Sequence, residues 1–180
     1  ASTNDLDSHE MLLGVANGVV DLKTGKLRPA QRTDLLTRHS NVALDPKAKC
    51  PRFLAYIDEI TGGDKKLAAY LQRVIGYALT GTANEQCIFF LHGSGANGKS
   101  VLLSVLKSLL GPDLAKQTPS ETLMAKRSGQ TNDIARLQNL RVVIANEVED
   151  GTQLAEALVK QMSGEDTMTA RFHYQEFFDF

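Results

Sequence analysis

Hydrophobic residues follow two different spacings along this chain, and the change from one spacing to the other marks the predicted elements. Between residues 11 and 27, short apolar runs are separated by Asn17-Gly18 and by a second turn at Gly25, a pattern typical of β-hairpins. Residues 28–50 are polar and rich in turn-forming residues. We therefore predict a β-hairpin segment with its connector over residues 1–50.

A pair of helices is predicted over residues 51–83. Pro51 suits the first position of a helix, and Gly62 marks the end of that helix. In the second helix, apolar residues recur at spacings of three and four over residues 67–79, so they share one face. We expect this pair to pack beside the domain that follows. The residues expected to be buried in the first helix are Phe53, Leu54, Ile57 and Ile60.

Residues 84–180 are predicted to form an α/β core with buried parallel strands. The first apolar run, residues 87–92, leads through a glycine-rich loop into a helix that ends at Gly111. Cys87, in that run, is expected to be a small buried hydrophobe. The second run, residues 141–147, has the length and the β-branched content of a buried parallel strand. Two such strands define the predicted α/β class.

Three shorter elements complete the predicted core. A capping box begins at Thr118 and predicts a short helix, and a second helix is predicted to begin after Thr152. Residues 167–180 place aromatic and β-branched residues at near two-residue spacing, which is typical of strands. We predict a terminal hairpin with its tip near residues 173–176.

The loop after the first strand carries the pattern G-x4-G-K-S. Triphosphate binding requires several backbone N–H groups that converge on anionic oxygens, and glycines permit the backbone angles and the close approach. The following helix directs the positive end of its dipole at the same place. The sequence therefore predicts an ATP site. The predicted ligand-binding residues of this loop are Gly93, Ser94, Gly95, Ala96, Asn97, Gly98, Lys99 and Ser100.

Two side chains of this loop are predicted to act on the bound nucleotide and on Mg²⁺. Lys99 would contact the β- and γ-phosphates as a point charge, and we predict a catalytic role for it. The hydroxyl of Ser100 would bind Mg²⁺ directly, because hydroxyl and carboxylate oxygens suit this hard cation. ATP and Mg²⁺ are thus the predicted cofactors.

The second apolar run ends in an amide and a carboxylate, Asn146 and Glu147. In phosphate-loop enzymes, an acid at the end of such a strand acts on the metal and on the attacking water. Glu147 is therefore predicted to be the catalytic base and a Mg²⁺ ligand. Asn146 occupies the place where many of these enzymes carry an Asp. Its side chain can hydrogen-bond to a metal-bound water but supplies no negative charge, so we assign it to cofactor binding.

Composition and charge narrow the class of protein. Hydrophobic residues make up 42% of the chain and charged residues 23%, as in a soluble globular protein. No apolar run approaches the roughly 20 residues of a membrane span, and the N-terminus does not resemble a signal peptide, so we expect no membrane partner and a cytoplasmic location. The net charge of −1 argues against an overall basic nucleic-acid binder, whereas a narrow basic channel remains compatible with it.

The combination of motifs resembles the helicase part of phage and plasmid primase-helicases. These belong to the superfamily 3 helicases and are related to the poxvirus primase-helicase. The resemblance rests on the loop at 93–100, on the strand ending in Glu147, and on residues 160–171 in this order. Residues 17–26 and 75–81 also resemble the N-terminal flank of that ATPase. The resemblance therefore covers nearly the whole chain.

This resemblance implies an AAA+-type ATPase that assembles into a hexameric ring and translocates on single-stranded DNA during phage or plasmid replication. It also implies a primase domain or protein as a partner and, for such replicons, the bacterial host cytoplasm as the location. A β-hairpin after the acidic strand would contact DNA in the ring channel. The residues assigned to DNA binding are Arg171, His173, Tyr174, Gln175 and Lys160.

The resemblance also implies that the AAA+ core is incomplete at its C-terminus. The chain stops at Phe180, before the expected sensor strand and arginine finger, so we expect the sheet to lack a central strand and the fragment to hydrolyse ATP poorly. Two other functions are compatible with the loop. One is a nucleotide-binding assembly module without hydrolysis, and the other is a P-loop phosphotransferase, whose lid would require clustered arginines downstream of the loop.

Overall fold

The computed structural model describes residues 5–124, 131–145, 153–164, 167–172 and 174–180. The first segment of the chain forms a three-stranded antiparallel sheet. Strands β1 (Leu12–Val15), β2 (Gly18–Asp21) and β3 (Lys26–Arg28) lie in this order in the sheet. In its register Val15 pairs with Gly18 and Asp21 pairs with Lys26, so both connections are tight turns. The predicted hairpins are confirmed.

The connector after β3 is held by an ion pair and a short 3-10 helix at Arg32–Asp34. Arg28 and Asp34 approach to 2.6 Å, and the Asp34 carboxylate also accepts the backbone N–H of Gln31. The Arg28 guanidinium, together with this N–H, lowers the pKa of Asp34 to about 2. A polar connector thus acquires a defined path across the sheet.

The two helices form at the predicted positions, but their side chains are less buried than predicted. Helix α1 spans Pro51–Ile60 with proline at its start, and α2 spans Lys65–Ala78, capped by the Asp64 carboxylate. Neither helix contains a fully buried residue. The expected burial of Leu54 is wrong, because 63% of this residue is exposed. Helical periodicity identified the apolar face, but it did not determine which side chains are covered.

The central layer is built from α3 and two parallel strands. Helix α3 spans Lys99–Leu110 and ends at Gly111, whose φ of 75° suits a residue without a side chain. Strands β4 (Ala115–Thr118) and β5 (Val142–Ala145) pair in parallel, with Thr118 opposite Ala145. The β5 prediction is confirmed, whereas β4 was missed because its residues, Ala-Lys-Gln-Thr, form no apolar run. A short 3-10 helix at Ser120–Leu123 follows β4.

Residues 87–92 form no regular strand, so the strand predicted before the loop is wrong for this structure. A strand exists through hydrogen bonds to a neighbour, and within the described residues neither β4 nor β5 pairs with this segment. Its apolar side chains are accordingly exposed, with Phe90 at 73%. Cys87 is exposed as well, so its predicted burial is also wrong.

The C-terminal part of the described chain contains two helices and a hairpin. Helix α4 spans Thr131–Ala135 and α5 spans Glu156–Ser163, while β6 (Thr169–Ala170) and β7 (Phe178–Asp179) pair antiparallel. The predicted terminal hairpin is therefore confirmed. Burial alternates from Met168 into β6, since Met168 and Ala170 are buried and Thr169 is exposed. Together with the sheets above, these five α-helices make the chain a mixed α/β protein.

One core joins the N-terminal sheet to the central layer. Leu13 and Val20 of that sheet pack with Leu106 and Leu110 of α3 and with Leu114 after it. Leu110 is fully buried. Burial of each such side chain stabilises the fold by roughly 1.5–3 kcal/mol. The sheet and the helix after the glycine-rich loop therefore support each other.

Candidate functional site

The glycine-rich loop stands open at the N-terminus of α3. Residues 93–97 are exposed, and the helix begins directly after Gly98. Positive φ angles occur at Gly95, at Ala96 and at Gly98, with values of 32°, 51° and 83°. An α-helix leaves its first N–H groups without intrahelical acceptors, and here these groups face the loop. This end of α3 thus has the backbone features of an anion site.

The ammonium group of Lys99 lies over this loop. Its Nζ is 2.7 Å from Oδ1 of Asn97 and 3.1 Å from the carbonyl oxygen of Gly93. Both partners are neutral, and Lys99 makes no ion pair with a carboxylate in the described part of the chain. A Cβ on Gly93 would lie 2.0 Å from Nδ2 of Asn97, so a larger residue would displace the amide that holds Lys99. The charge of Lys99 is therefore available to an anionic ligand.

These residues fit the phosphates of a nucleotide. The open loop, the start of α3 and the Lys99 ammonium present donors and positive charge from one side. Ser100 is exposed in the first turn of α3 and is the described residue that would bind Mg²⁺. The described ranges contain no cluster of three His, Cys, Asp or Glu side chains suited to a metal.

The predicted acidic residues of the site lie beyond the end of β5. This strand ends at Ala145, and Asn146 and Glu147 lie outside the described residues. Ala145 pairs with Thr118 at the carboxyl end of the two-stranded parallel sheet. In open α/β sheets, ligand sites lie outside the carboxyl ends of the strands. The course of β5 therefore agrees with the predicted role of Glu147, which stays a prediction.

Arg141, immediately before β5, donates to three backbone carbonyls in two separate segments of the chain. Its Nη1 donates to the carbonyls of Glu10 at 2.7 Å and Leu79 at 2.8 Å, and its Nη2 donates to the carbonyl of Leu12 at 2.6 Å. Burial lowers the pKa of Arg141, and the charges of Asp7 and Glu10 partly oppose this effect. The guanidinium thus ties the N-terminal sheet and the end of α2 to the strand that leads to Glu147. Sequence reasoning missed this role, because an isolated arginine before a strand carries no signal.

Tyr56 of α1 is a second residue that the sequence did not reveal. Its hydroxyl donates to the carbonyl oxygen of Gly98 at 2.7 Å, across 42 positions of the chain. The helical periodicity of α1 marks this position only as part of a half-buried face. A contact between α1 and the loop depends on tertiary packing, which this periodicity does not report.

The terminal hairpin presents several of the predicted DNA-binding side chains. Arg171 is exposed and lies 4.6 Å from the ring centroid of Phe177, which is a cation–π distance. Tyr174 is fully exposed at the tip, and Gln175 is also exposed. His173 lies outside the described residues. The tip thus combines an exposed cation with exposed aromatic rings.

Behind the tip, aromatic rings hold the hairpin together. The rings of Phe172 and Phe178 stack at 5.7 Å, and Phe180 lies at the same distance from Phe178. Lys160 is exposed on α5, next to Gln161, whose side chain donates to the carbonyl of Thr167 just before the hairpin. The structure thus links the helix that carries Lys160 to the start of the hairpin.

The fold and the loop define a mixed α/β protein with a glycine-rich loop at the start of a helix and a terminal β-hairpin. Residues 1–62 match the family model described as D5 N terminal like. This match and the relatives described next confirm the relationship to primase-helicases that the motifs indicated. The matched region includes all of α1.

Two viral proteins are similar to almost the whole chain. The putative helicase L207/L206 of Acanthamoeba polyphaga mimivirus is 31% identical over an alignment of 178 residues that covers 96% of this chain. The putative helicase 121R of Invertebrate iridescent virus 3 is 25% identical over an alignment of 179 residues that covers 95% of this chain. The chain spans 18% and 19% of the lengths of these relatives. In the described ranges, no helix has the length and apolar character needed to cross a membrane.

Proposed function

We propose that this chain is the nucleotide-binding part of an ATP-dependent DNA helicase of the superfamily 3 type, acting in viral, phage or plasmid replication. One observation carries the proposal: the Lys99 ammonium lies over an open glycine-rich loop at the start of α3, where it donates to two neutral oxygens. Helicase is also the word in the names of both similar viral proteins. An AAA+-type core is the fold that this function requires.

The loop would bind the triphosphate through its backbone and through Lys99. N–H groups at the start of α3 would donate to phosphate oxygens, and Lys99 would exchange its contacts with Asn97 and Gly93 for charged oxygens. Ser100 would hold Mg²⁺, which neutralises charge on the phosphates. An ammonium binds a negatively charged phosphate oxygen more strongly than a neutral oxygen, so this exchange favours binding.

Glu147 would orient and partly deprotonate the water that attacks the γ-phosphate, with Asn146 hydrogen-bonded beside it. A carboxylate suits this role because it accepts the proton that the water loses. Asn146 has no charge, so the catalytic acid–base function falls on Glu147 alone. Parallel pairing of β5 with β4 would fix the direction in which this end of the strand approaches the loop.

The terminal hairpin would contact single-stranded DNA. Arg171 supplies a cation, and the exposed ring of Tyr174 offers a surface on which bases stack. The chain has a net charge of −1, so a polyanion would be held only where cations are concentrated. A hexameric ring would concentrate them by repeating one hairpin around its channel. A primase domain or protein is the proposed partner in replication.

Replacing Lys99 with Ala in the full-length protein is expected to weaken ATP–Mg²⁺ binding by about 10- to 100-fold, the effect of losing one charge-assisted contact to phosphate. Isothermal titration calorimetry measures this change. Lys107→Ala is the matched control, because Lys107 is exposed at the other end of the same helix. Equal ATP affinities of the wild type and Lys99→Ala would contradict the proposed site.

Removing charge from the hairpin is expected to weaken DNA binding and to flatten its dependence on salt. The variant combines Arg171→Ala with His173→Ala. Each phosphate contact releases counterions from the DNA, so a variant with fewer contacts releases fewer of them and its affinity depends less steeply on salt. Binding of a labelled single-stranded oligonucleotide is measured across a salt series with the assembled protein. Arg73→Ala, on the exposed face of α2, serves as the control. Superimposable curves for hairpin variant and wild type would remove the hairpin from the DNA path.

A further inference from the structure

Helix α1 contacts the last residue of the glycine-rich loop. The Tyr56 hydroxyl donates to the Gly98 carbonyl oxygen at 2.7 Å, and the same oxygen accepts the backbone N–H of Leu102 at 3.1 Å. Gly98 has a φ of 83°, and a Cβ there would lie 2.5 Å from Cγ2 of Ile60 and 3.2 Å from Cε2 of Tyr56. The backbone of Gly98 is therefore packed directly against α1.

This contact fixes more than one carbonyl group. The carbonyl of Gly98 and the N–H of Lys99 belong to one planar peptide group, so holding the oxygen also sets the direction of the N–H. That N–H is at the first position of α3, where helix geometry provides no intrahelical acceptor. It is one of the donors that an anion at the loop would use. Tyr56 thus helps to fix the direction of an N–H group that a bound phosphate would use.

We propose that Tyr56 is a positioning residue for the phosphate loop, and that it couples α1 to nucleotide binding through the Gly98–Lys99 peptide. Tyr56 has this role only if the loop binds nucleotide, so the inference rests on the proposed function. Ile60 completes the contact by closing the space beside Gly98. Because α1 lies within the region that matches the D5 family model, that region then contributes directly to the nucleotide site.

The hydroxyl of Tyr56 keeps its proton under ordinary conditions, which the donor role requires. Burial raises the pKa of this hydroxyl above its usual value. The coupling is also reciprocal: if the Tyr56 bond favours the conformation that binds phosphate, bound phosphate must favour the Tyr56 bond. Bound nucleotide is therefore expected to slow hydrogen exchange in α1 as well as in the loop.

The test compares Tyr56→Phe with Tyr77→Phe in the full-length protein. Phe at 56 keeps the ring that packs on Gly98 and loses only the donor. Tyr77, on α2, also has a hydroxyl bonded to the backbone, where it accepts the N–H of Glu85, a residue outside the loop, at 3.3 Å. The probes are ATP–Mg²⁺ and inorganic tripolyphosphate with Mg²⁺, because the second reports phosphate contacts alone.

Tyr56→Phe is expected to raise the Kd for both probes about fivefold, the effect of one neutral hydrogen bond, while Tyr77→Phe leaves both unchanged. A purely structural role would lower the melting temperature without changing either Kd. Unchanged Kd values for Tyr56→Phe, with binding still dependent on Lys99, would overturn the positioning role and leave the proposed function intact. A wild-type protein that binds neither probe would overturn both.

Discussion

Replacing Glu147 with Gln in the full-length protein is expected to leave ATP binding intact and to lower turnover by a factor of about 10² to 10⁴. Gln keeps the size of the side chain and its hydrogen bonds to water, but it cannot accept the proton of the attacking water. Strand β5 ends at Ala145, two positions before Glu147, at the carboxyl end of the parallel pair. Steady-state phosphate release and calorimetry on the same preparation measure the two properties.

Glu156→Gln provides the matched control for this experiment, because Glu156 is exposed in the first turn of α5. Turnover of Glu147→Gln within a factor of three of the wild type would exclude Glu147 as the base. Loss of ATP–Mg²⁺ binding in the variant would instead assign Glu147 to the metal. A wild-type protein that binds ATP but does not hydrolyse it would favour the nucleotide-binding assembly module.

Replacing Arg141 with Ala is expected to lower the free energy of unfolding by roughly 2–4 kcal/mol. The variant removes three hydrogen bonds from a charged donor and leaves the carbonyls of Leu12 and Leu79 without that partner. These carbonyls belong to β1 and to the end of α2, so both segments lose a hydrogen bond to the residue that precedes β5. Urea unfolding followed by circular dichroism measures the change for this chain.

Two further variants make the Arg141 experiment specific. Arg136→Ala removes an exposed arginine five positions earlier and is expected to change stability by less than about 0.5 kcal/mol. Arg141→Lys keeps the positive charge but replaces the planar guanidinium, with its several N–H donors, by a single ammonium group. We therefore expect a stability between those of the wild type and Arg141→Ala. If Arg141→Ala unfolds at the same urea concentration as Arg136→Ala, the three carbonyl contacts contribute nothing to the fold.

The positions of most elements follow from local signals in the sequence. Pro51 and Asp64 set the starts of α1 and α2, and Gly111 sets the end of α3, because capping involves only neighbouring residues. The hairpins of the first sheet and of the C-terminus follow from alternation and turn residues. The glycine-rich loop is equally local, since its pattern occupies eight consecutive positions.

Only the tertiary structure decided which segments pair as strands and which side chains are buried. Residues 87–92 have the composition of a strand, yet they form none because a strand requires a hydrogen-bonded neighbour. The opposite holds for β4, which lacks an apolar run and becomes a strand by pairing with β5. Leu54 lies on the apolar face of α1 and remains exposed. Helical periodicity shows which face a side chain is on, but it does not show whether another element packs against that face.

The same distinction applies to the candidate site. Lys99 and the loop glycines were identified from spacing, because phosphate binding requires those residue types in one short segment. Tyr56 contacts Gly98, which lies 42 positions later in the chain. Arg141, which precedes the supporting strand β5, contacts Leu12, which lies 129 positions earlier. Such contacts depend on the path of the whole chain. The sequence by itself therefore determined the glycine-rich loop, and only the tertiary structure decided which residues hold it in place.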